Sequence, residues 1–133
     1  MNMPFSKFRE VNDLVMLSGE VPLDEEGRIP EGIVAQTDLV MKRISSTLAQ
    51  SGLGLSEIVS VTAYLTDKSD FELFNSTYKN YFSAPLPVRT TIGCELFIDA
   101  KVELTVVAAR SLSASKAMNN KYSGADIIAL GSV

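Results

Sequence analysis

The fold of this chain is decided by the stretch Lys101-Val102-Glu103-Leu104-Thr105-Val106-Val107-Ala108-Ala109, which is nearly all apolar from its second residue onward. Alternate side chains of a strand point to opposite faces, so Val102, Leu104 and Val106 can face a layer of helices. The opposite face, which begins at Glu103, is too apolar to be left in water. Copies of the same chain would cover it most simply, so the pattern predicts a homo-oligomer with Glu103 near a subunit interface.

Two charged side chains lie in segments that otherwise have the composition of buried strands. One is Glu103, and the other is Arg89 within Pro87-Val88-Arg89-Thr90-Thr91-Ile92. Charges in such segments are costly unless they are paired or used. A guanidinium can hold a carboxylate through two parallel hydrogen bonds, and a nearby carboxylate can steer a water or a proton. The two residues therefore predict a pocket for a small anionic molecule.

Each of these charges also has a structural interpretation. Arg89 could form an ordinary salt bridge or extend from the edge of the sheet into solvent. Glu103 could pair with Lys101 or lie in an interface as a structural charge. The residue pattern leaves these alternatives open.

Two helices are predicted from apolar spacings of three and four residues. The first starts at about Gly32 and ends at Gly52, as a left-handed C-terminal glycine would end it. Its buried face consists of Ile33, Thr37, Val40, Met41, Ile44 and Leu48. The second starts at Ser69-Asp70-Phe71-Glu72, which has the form of a capping box. It carries an aromatic stripe, interpreted as a seam facing the core, that consists of Phe71, Phe74, Tyr78 and Phe82.

The remaining segments are predicted to be strands. Asn12-Asp13 supplies a turn between strands at about 5–11 and 14–17, of which the second is buried. Alternation over 58–65 places Val59, Val61, Ala63 and Leu65 on the core face, and a strand over 88–94 follows the Pro85-Leu86-Pro87 break. With the last strand, the order is strand, strand, helix, strand, helix, strand, strand. This order predicts an α+β fold with one mixed sheet and two helices on one face.

The amino-acid composition excludes several catalytic mechanisms. The chain has 133 residues, 46% of them hydrophobic, which fits one globular domain. It contains no histidine, which excludes Ser-His-Asp and Cys-His catalysis and histidine-bound zinc. Catalysis would have to use carboxylates, hydroxyls, backbone groups or bound water.

Residues 1–110 are interpreted as the domain and residues 111–133 as a C-terminal tail. The tail is interpreted as flexible and in part of artificial origin. The alternative is that it contains a segment that docks on a neighbouring subunit.

The number of cysteines indicates the cellular compartment of the protein, and its net charge indicates which binding partners are unfavourable. The single Cys94 excludes an intrachain disulfide, and no secretory leader pattern is visible, so we expect a cytoplasmic protein. No apolar run is long enough to span a membrane. The net charge of -4 makes nucleic acid an unfavourable partner, because a phosphate backbone is repelled on average.

A series of short motifs resembles the Rid family, the reactive intermediate deaminases also called YjgF, with the older label L-PSP endoribonuclease. The resemblance covers about residues 4 to 110, and the number, order and spacing of the motifs make it specific. The motifs are Leu17-Ser18-Gly19-Glu20-Val21-Pro22, Ala35-Gln36-Thr37, Asp67 to Phe71, Asn75-x-x-Tyr78-x-x-Tyr81-Phe82, Pro87-Val88-Arg89 and Lys101-Val102-Glu103-Leu104.

The resemblance implies a chorismate-mutase-like α+β fold assembled as a homotrimer, with ligand sites in the clefts between subunits. It also implies hydrolysis of 2-imino acids, of the 2-iminobutanoate and 2-iminopropanoate type, or of their 2-aminoacrylate-type enamines. The products are 2-oxo acids and ammonia, and neither a metal nor an organic cofactor is required.

The resemblance also assigns roles to individual residues. Arg89 matches the arginine that grips the substrate carboxylate, Glu103 matches the glutamate associated with the attacking water, and Ser18 and Gly19 match the pair that lines the cleft. From the residues alone, Ser18 could instead satisfy a backbone group at a strand end.

The chain departs from the common family pattern in the same region. Phe5 stands where many relatives have tyrosine, and Thr91 stands where many have cysteine. One residue fewer separates Arg89 from Glu103. Phe5 and Thr91 remain expected substrate-binding positions, and Asn75, on the side of the aromatic stripe, is a secondary one that could also bond locally.

Two further functions stay open from the sequence. One is a non-catalytic regulatory trimer that binds small 2-oxo or 2-imino carboxylates without turning them over. The other is a pathway-specific enamine deaminase with an aminomuconate-like substrate. Ribonuclease activity, which the older family label suggests, is disfavoured by the acidic balance and by the lack of a basic stripe.

Overall fold

The computed structural model describes residues 2–110, in which five strands and two helices follow the predicted order. The elements are β1 (Phe8–Val11), β2 (Leu14–Leu17), α1 (Ile33–Ala49), β3 (Ile58–Leu65), α2 (Phe71–Tyr78), β4 (Val88–Gly93) and β5 (Val102–Ala109). Single turns of 3-10 helix lie at Leu55–Glu57, Lys68–Asp70 and Lys79–Tyr81. The α+β prediction is confirmed, and the proposed tail at residues 111–133 lies outside the described residues.

The sheet is mixed, with strand order β1-β2-β5-β3-β4. Only β3 and β4 run parallel, and the other neighbouring pairs are antiparallel. The parallel pair is joined through α2, because parallel neighbours need a crossover connection. The apolar strand β5 therefore lies in the middle of the sheet, and β4, which carries Arg89, lies at an edge.

The hydrophobic core lies between the sheet and the two helices. The residues of β5 that lie in this core are Val102, Leu104 and Val106, each at most 1% exposed. Every position predicted for the inner face of α1 is buried: Ile33, Thr37, Val40, Met41, Ile44 and Leu48. The predicted inner faces of α1 and β5 are thus correct, because both elements have a regular apolar period.

Strand β3 departs from the predicted alternation at its start. Its register against β5 shifts between Ile58 and Ser60, which marks a β-bulge. The bulge inserts one residue, so Ile58 is buried and Val59 is only partly buried. The prediction that Val59 faces the core was therefore wrong, whereas the alternation from Val61 to Leu65 is confirmed.

The start of α2 also differs from the prediction. The Oδ1 atom of Asp67 accepts hydrogen bonds from the backbone N–H of Ser69 at 2.9 Å and from its hydroxyl at 2.7 Å. A 3-10 turn at Lys68–Asp70 then leads into the helix. No side-chain cap bond forms at the N-cap position, Asp70. The predicted capping box is therefore wrong: the carboxylate of Asp67 holds the Ser69 hydroxyl, and an ionised acceptor makes the stronger bond.

The outer face of the sheet carries exposed apolar side chains. Cross-strand pairing places Met16 beside Val107 on this face, with Tyr64 beside Glu103. In β2, Val15 and Leu17 are buried whereas Leu14 and Met16 are exposed, so the prediction of a buried strand is correct for the inner face only. The exposed apolar residues of the outer face are Val11, Leu14, Met16, Val88 and Ile92. Self-association through this face stays a prediction.

Neither described helix combines the length and the apolar character that crossing a membrane requires.

Helix α1 ends in a Schellman motif centred on Gly52, which has φ +73°. Gly52→Ala should lower the free energy of unfolding by about 1 kcal/mol, because a Cβ is disfavoured in the left-handed region. Urea denaturation measures the difference. Gly54→Ala is the matched control, since Gly54 has φ -123° and should tolerate the change. Equal losses in both variants would contradict this explanation.

Candidate functional site

Arg89 lies on the helix-facing side of β4, beneath α2. Its Cα is paired with Val61 of β3, whose side chain is buried in the core, so both side chains share that face. The Nη2 atom of Arg89 donates a hydrogen bond of 2.7 Å to Oδ1 of Asn75. The structure thus places together two predicted site residues that are 14 positions apart in the chain.

Three aromatic rings of the α2 segment surround the Arg89 guanidinium. Their centroids lie 5.9 Å (Phe71), 5.3 Å (Phe74) and 4.8 Å (Tyr78) from Cζ, within the range of cation–π attraction. Phe74 and Tyr78 are also buried in the core, as the stripe predicted. The aromatic stripe therefore packs in the core and also forms the surface against which the Arg89 guanidinium lies.

The Arg89 guanidinium has no ion-pair partner among residues 2–110. Burial lowers its pKa from the usual value, and the nearby Tyr78 acts in the opposite direction. An arginine still keeps its charge in a protein. The structural alternative, an ordinary salt bridge, is therefore not found in the described part of the chain.

Two buried hydroxyls accompany Arg89. Thr91 follows two residues later on the same face of β4, and its Oγ1 atom has no hydrogen-bond partner among the described residues. The same holds, within residues 2–110, for the Oη atom of Tyr78. Burial raises the pKa of Tyr78 to about 12, so the phenol stays protonated at neutral pH. Tyr78 was not among the predicted site residues, because its place in an apolar stripe has the pattern of a core residue.

Glu103 lies on the outer face of the sheet, next to Gly19. It is paired with Tyr64 of β3, whereas its neighbour Leu104 is buried against the helices. A Cβ atom at Gly19 would overlap Oε2 of Glu103 and would lie 3.0 Å from its Cδ. The residue beside Glu103 must therefore lack a side chain for the carboxylate to keep its place, which explains the glycine in Ser18-Gly19.

Burial raises the pKa of Glu103, and the negative charge of Glu20 raises it further. Glu20 itself is buried and pairs with Arg43 of α1 at 2.6 Å. Lys101, the predicted structural partner of Glu103, pairs instead with Asp70 at 3.3 Å. Within residues 2–110 Glu103 has no salt-bridge partner, so its carboxylate is available to a ligand or a water.

Ser18 is occupied by a local contact. Its hydroxyl donates to the carbonyl of Ser6 at 2.6 Å, and its backbone N–H donates to the carbonyl of Lys7 at 3.0 Å. This is the structural role left open by the sequence. Phe5 precedes Ser6 and is 58% exposed, so an apolar side chain stands at the end of the segment that Ser18 holds.

The predicted site residues thus form two groups on opposite faces of the sheet. Arg89, Asn75 and Thr91 lie on the helix side, and Gly19 and Glu103 lie on the outer side. Side chains that leave opposite faces of one sheet do not line one cleft of the same chain. A pocket that contains both Arg89 and Glu103 stays a prediction, and it needs a second copy of the chain.

Gln36, which the sequence interpretation did not include among the site residues, connects the loop before α1 to the start of β5. Its Nε2 atom donates to the carbonyl of Pro30 at 2.9 Å, and its Oε1 atom accepts from the backbone N–H of Lys101 at 2.7 Å. A buried amide with both ends bonded holds its neighbours in place. It thereby fixes the chain two residues before Glu103, and its place in the motif Ala35-Gln36-Thr37 was the available signal.

The fold and the site define a class: α+β proteins in which two helices cover one face of a mixed five-stranded sheet, here with a partly buried arginine on an edge strand. A family model described as Endoribonuclease L-PSP matches residues 1–110. The chain belongs to this family, the Rid or YjgF family, so the resemblance found in the sequence is confirmed.

Individual relatives agree with this assignment. A RutC family protein of Aquifex aeolicus is 35% identical over 111 residues, which are 80% of this chain and 89% of that protein. Reactive Intermediate Deaminase A, chloroplastic, of Arabidopsis thaliana is 37% identical over 79% of this chain and 58% of its own length. Among solved structures, Escherichia coli TdcF with bound serine matches with a TM-score of 0.78 and 28% identity, over 84% of this chain and 91% of that one.

Glu103→Gln should stabilise the protein increasingly as the pH rises. The raised pKa means that the folded chain binds this proton more tightly than the unfolded chain does. The wild-type protein therefore loses stability as the pH rises through the Glu103 titration, and the variant does not incur this loss. Urea unfolding of both proteins at a series of pH values measures the difference, which should be small in acid and should grow toward neutral pH.

Glu72→Gln, which removes an exposed carboxylate of α2, is the matched control. The cause assigned to Glu103 is wrong if the two variants show the same pH dependence relative to wild type.

Proposed function

We propose that this protein is a cofactor-independent hydrolytic deaminase that converts 2-imino acids or their enamine tautomers to 2-oxo acids and ammonia. Membership of a family that includes proteins named reactive intermediate deaminase supports this. The observation that carries the proposal is the Arg89 guanidinium, which is positioned by Asn75 and three rings and has no carboxylate partner among residues 2–110.

The ligand class follows from this arginine. Its planar fork suits a carboxylate, and the rings beside it reduce competition from water. The bound serine in the structure of Escherichia coli TdcF is a small carboxylate, which supports the same class of ligand. A 2-imino acid carries its electrophilic carbon directly on the carboxylate, so an arginine clamp fixes the reacting atom as well.

The reaction needs only positioning and proton transfer. Water attacks the carbon of the imine, which is already protonated on nitrogen, and Glu103 accepts a proton from this water to give the carbinolamine. Glu103 then returns the proton to the amino nitrogen, ammonia leaves as the C–N bond breaks, and Glu103 takes up the hydroxyl proton as the carbonyl forms. A carboxylate with a raised pKa accepts a proton more readily than an unshifted carboxylate and can return it in the next step. Orienting the two reactants removes much of the entropic barrier.

The site is proposed to form between copies of the chain in a chorismate-mutase-like homotrimer. Arg89 and Glu103 leave opposite faces of one sheet, so a single chain offers each group without the other. The exposed apolar side chains of the outer face supply the driving force for association. One copy would contribute Arg89 with Thr91, and its neighbour would contribute Gly19 and Glu103.

A non-catalytic small-carboxylate-binding protein is the second candidate. Phe5 favours it, because this position lacks the hydroxyl that many relatives carry and its side chain is exposed. Such a protein would bind 2-oxo acids without accelerating imine hydrolysis. A specialised enamine deaminase, with an aminomuconate-like substrate, would be distinguished by its substrate profile.

Arg89→Ala should reduce kcat/KM for 2-imino acids by roughly a hundredfold or more, because a charge-assisted bidentate contact is lost. An amino-acid oxidase generates the imino acids, and formation of the 2-oxo acid is followed with and without the protein. Arg89→Lys should recover only part of the activity, since an ammonium lacks the planar fork. Arg28→Ala, which removes an exposed arginine paired with Asp24, is the control. Full activity of Arg89→Ala would refute the clamp.

Sites shared between copies predict complementation of two inactive variants. If Arg89→Ala and Glu103→Gln chains are coexpressed in equal amounts, each site draws its arginine from one copy and its glutamate from another. Random assembly in a closed ring then gives about a quarter of the sites both wild-type groups. The coexpressed protein should recover activity in the oxidase assay, whereas mixing the separately purified variants without exchange should not. A failure of coexpressed chains to recover activity, with both variants folded, would contradict a shared site.

A further inference from the structure

Among residues 2–110, Tyr78 is the aromatic residue whose ring lies nearest to the Arg89 guanidinium, and its hydroxyl has no hydrogen-bond partner there. The residue is 9% exposed, and its ring centroid is 4.8 Å from Cζ of Arg89. No hydrogen-bond partner of its Oη atom exists in the part of the chain that the structure describes. A buried hydroxyl without a partner is costly, so its presence needs an explanation.

The neighbours of Tyr78 show that the core does not require a hydroxyl. Phe74 lies four residues before Tyr78 and Phe82 four residues after it, and their ring centroids are 5.4 Å and 4.6 Å from that of Tyr78. Phenylalanine is used at both of these positions. The hydroxyl therefore occurs at the position of this trio whose ring lies nearest to the guanidinium, at 4.8 Å from Cζ compared with 5.3 Å for Phe74.

A second hydroxyl gives independent support. Oγ1 of Thr91 is also buried without a partner among residues 2–110. Thr91 lies two residues after Arg89 on the same face of β4, whereas Tyr78 lies on α2. Within residues 2–110, two hydroxyls without partners, from different elements, thus lie near one guanidinium, which donates a hydrogen bond to Asn75.

We propose that Tyr78 is a further ligand-binding residue of the Arg89 site, whose hydroxyl donates a hydrogen bond to the carboxylate that Arg89 binds, with Thr91 as a second donor. A carboxylate has about four lone-pair positions, and a bidentate arginine uses two of them. Two hydroxyl donors can serve the remaining positions. The inference rests on the proposed function, because it takes the same small carboxylate as the ligand.

The protonation state suits this role. Burial keeps the pKa of Tyr78 at about 12, so the phenol carries its proton and can donate to an anion at any pH near neutral. Both hydroxyl oxygens are shielded from solvent, so a ligand oxygen reaches them only when a covering side chain shifts.

The test measures binding and stability in the same variants. Tyr78→Phe and Thr91→Val each remove one hydroxyl and keep nearly the same shape. Pyruvate binding to the full chain is measured by titration calorimetry, and stability is measured by the urea midpoint. Loss of a hydrogen bond to a charged group should weaken pyruvate binding roughly ten- to a hundredfold in Tyr78→Phe, while the midpoint is kept or raised.

Thr37→Val is the matched control. Thr37 lies on α1 and also carries a buried hydroxyl without a partner among the described residues. Its removal should leave the dissociation constant for pyruvate unchanged. A tyrosine carbon-13 spectrum adds a direct readout, because the chain has four tyrosines and Tyr78→Phe identifies the signal of Tyr78. Pyruvate should shift that signal.

The outcomes separate this inference from the proposed function. Wild-type affinity in Tyr78→Phe, together with lost binding in Arg89→Ala, would overturn the role of Tyr78 and leave the arginine clamp intact. A fall in the urea midpoint without a change in affinity would also overturn it, since the hydroxyl would then be structural. If the wild-type protein neither binds pyruvate nor hydrolyses imino acids, the proposed function itself fails.

Discussion

The alternation of side chains along β5 is the constraint on which the rest of the structure depends. Its inner residues, Val102, Leu104 and Val106, are fixed in the core beneath the helices. A shift of one residue would turn all of them to the outside and Glu103 to the inside, so the register is strongly determined. Glu103 is therefore held on the outer face beside Gly19, with a backbone that cannot move without disturbing the core.

The same alternation of side chains on β3 and β4 places the candidate site residues on two opposite faces of the sheet. Arg89 pairs with Val61 and therefore lies on the inner face of the sheet. There its guanidinium contacts three aromatic rings of α2 and donates to the side-chain amide of Asn75. The two charges are therefore separated by the sheet that positions them. Each is partly buried and lacks an ion-pair partner among residues 2–110, and burial shifts each pKa in the direction that disfavours charge. Two such charges are costly unless a ligand or another chain compensates them.

Sequence periodicity predicted the regular elements and missed the irregular ones. The inner faces of α1 and β5 follow from apolar spacing, since each side chain there contributes to one continuous core. The bulge at the start of β3 was not predictable, because the extra residue is selected by the register against β5 and not by a local preference. At the start of α2, the Ser69-Glu72 pattern was present, but Asp67 lies close enough to compete for Ser69.

The sequence by itself determined the order of the elements, the two unusual charges and the family, because period, composition and motif spacing are local properties of the chain. It also placed Arg89, Asn75 and Thr91 among the candidates. Only the tertiary structure decided that these three share one face while Gly19 and Glu103 share the other. It also placed the Tyr78 ring against the Arg89 guanidinium, with no hydrogen-bond partner for the Tyr78 hydroxyl among residues 2–110. Those facts depend on strand register and on how a helix packs across a sheet, which bring together residues far apart in the chain.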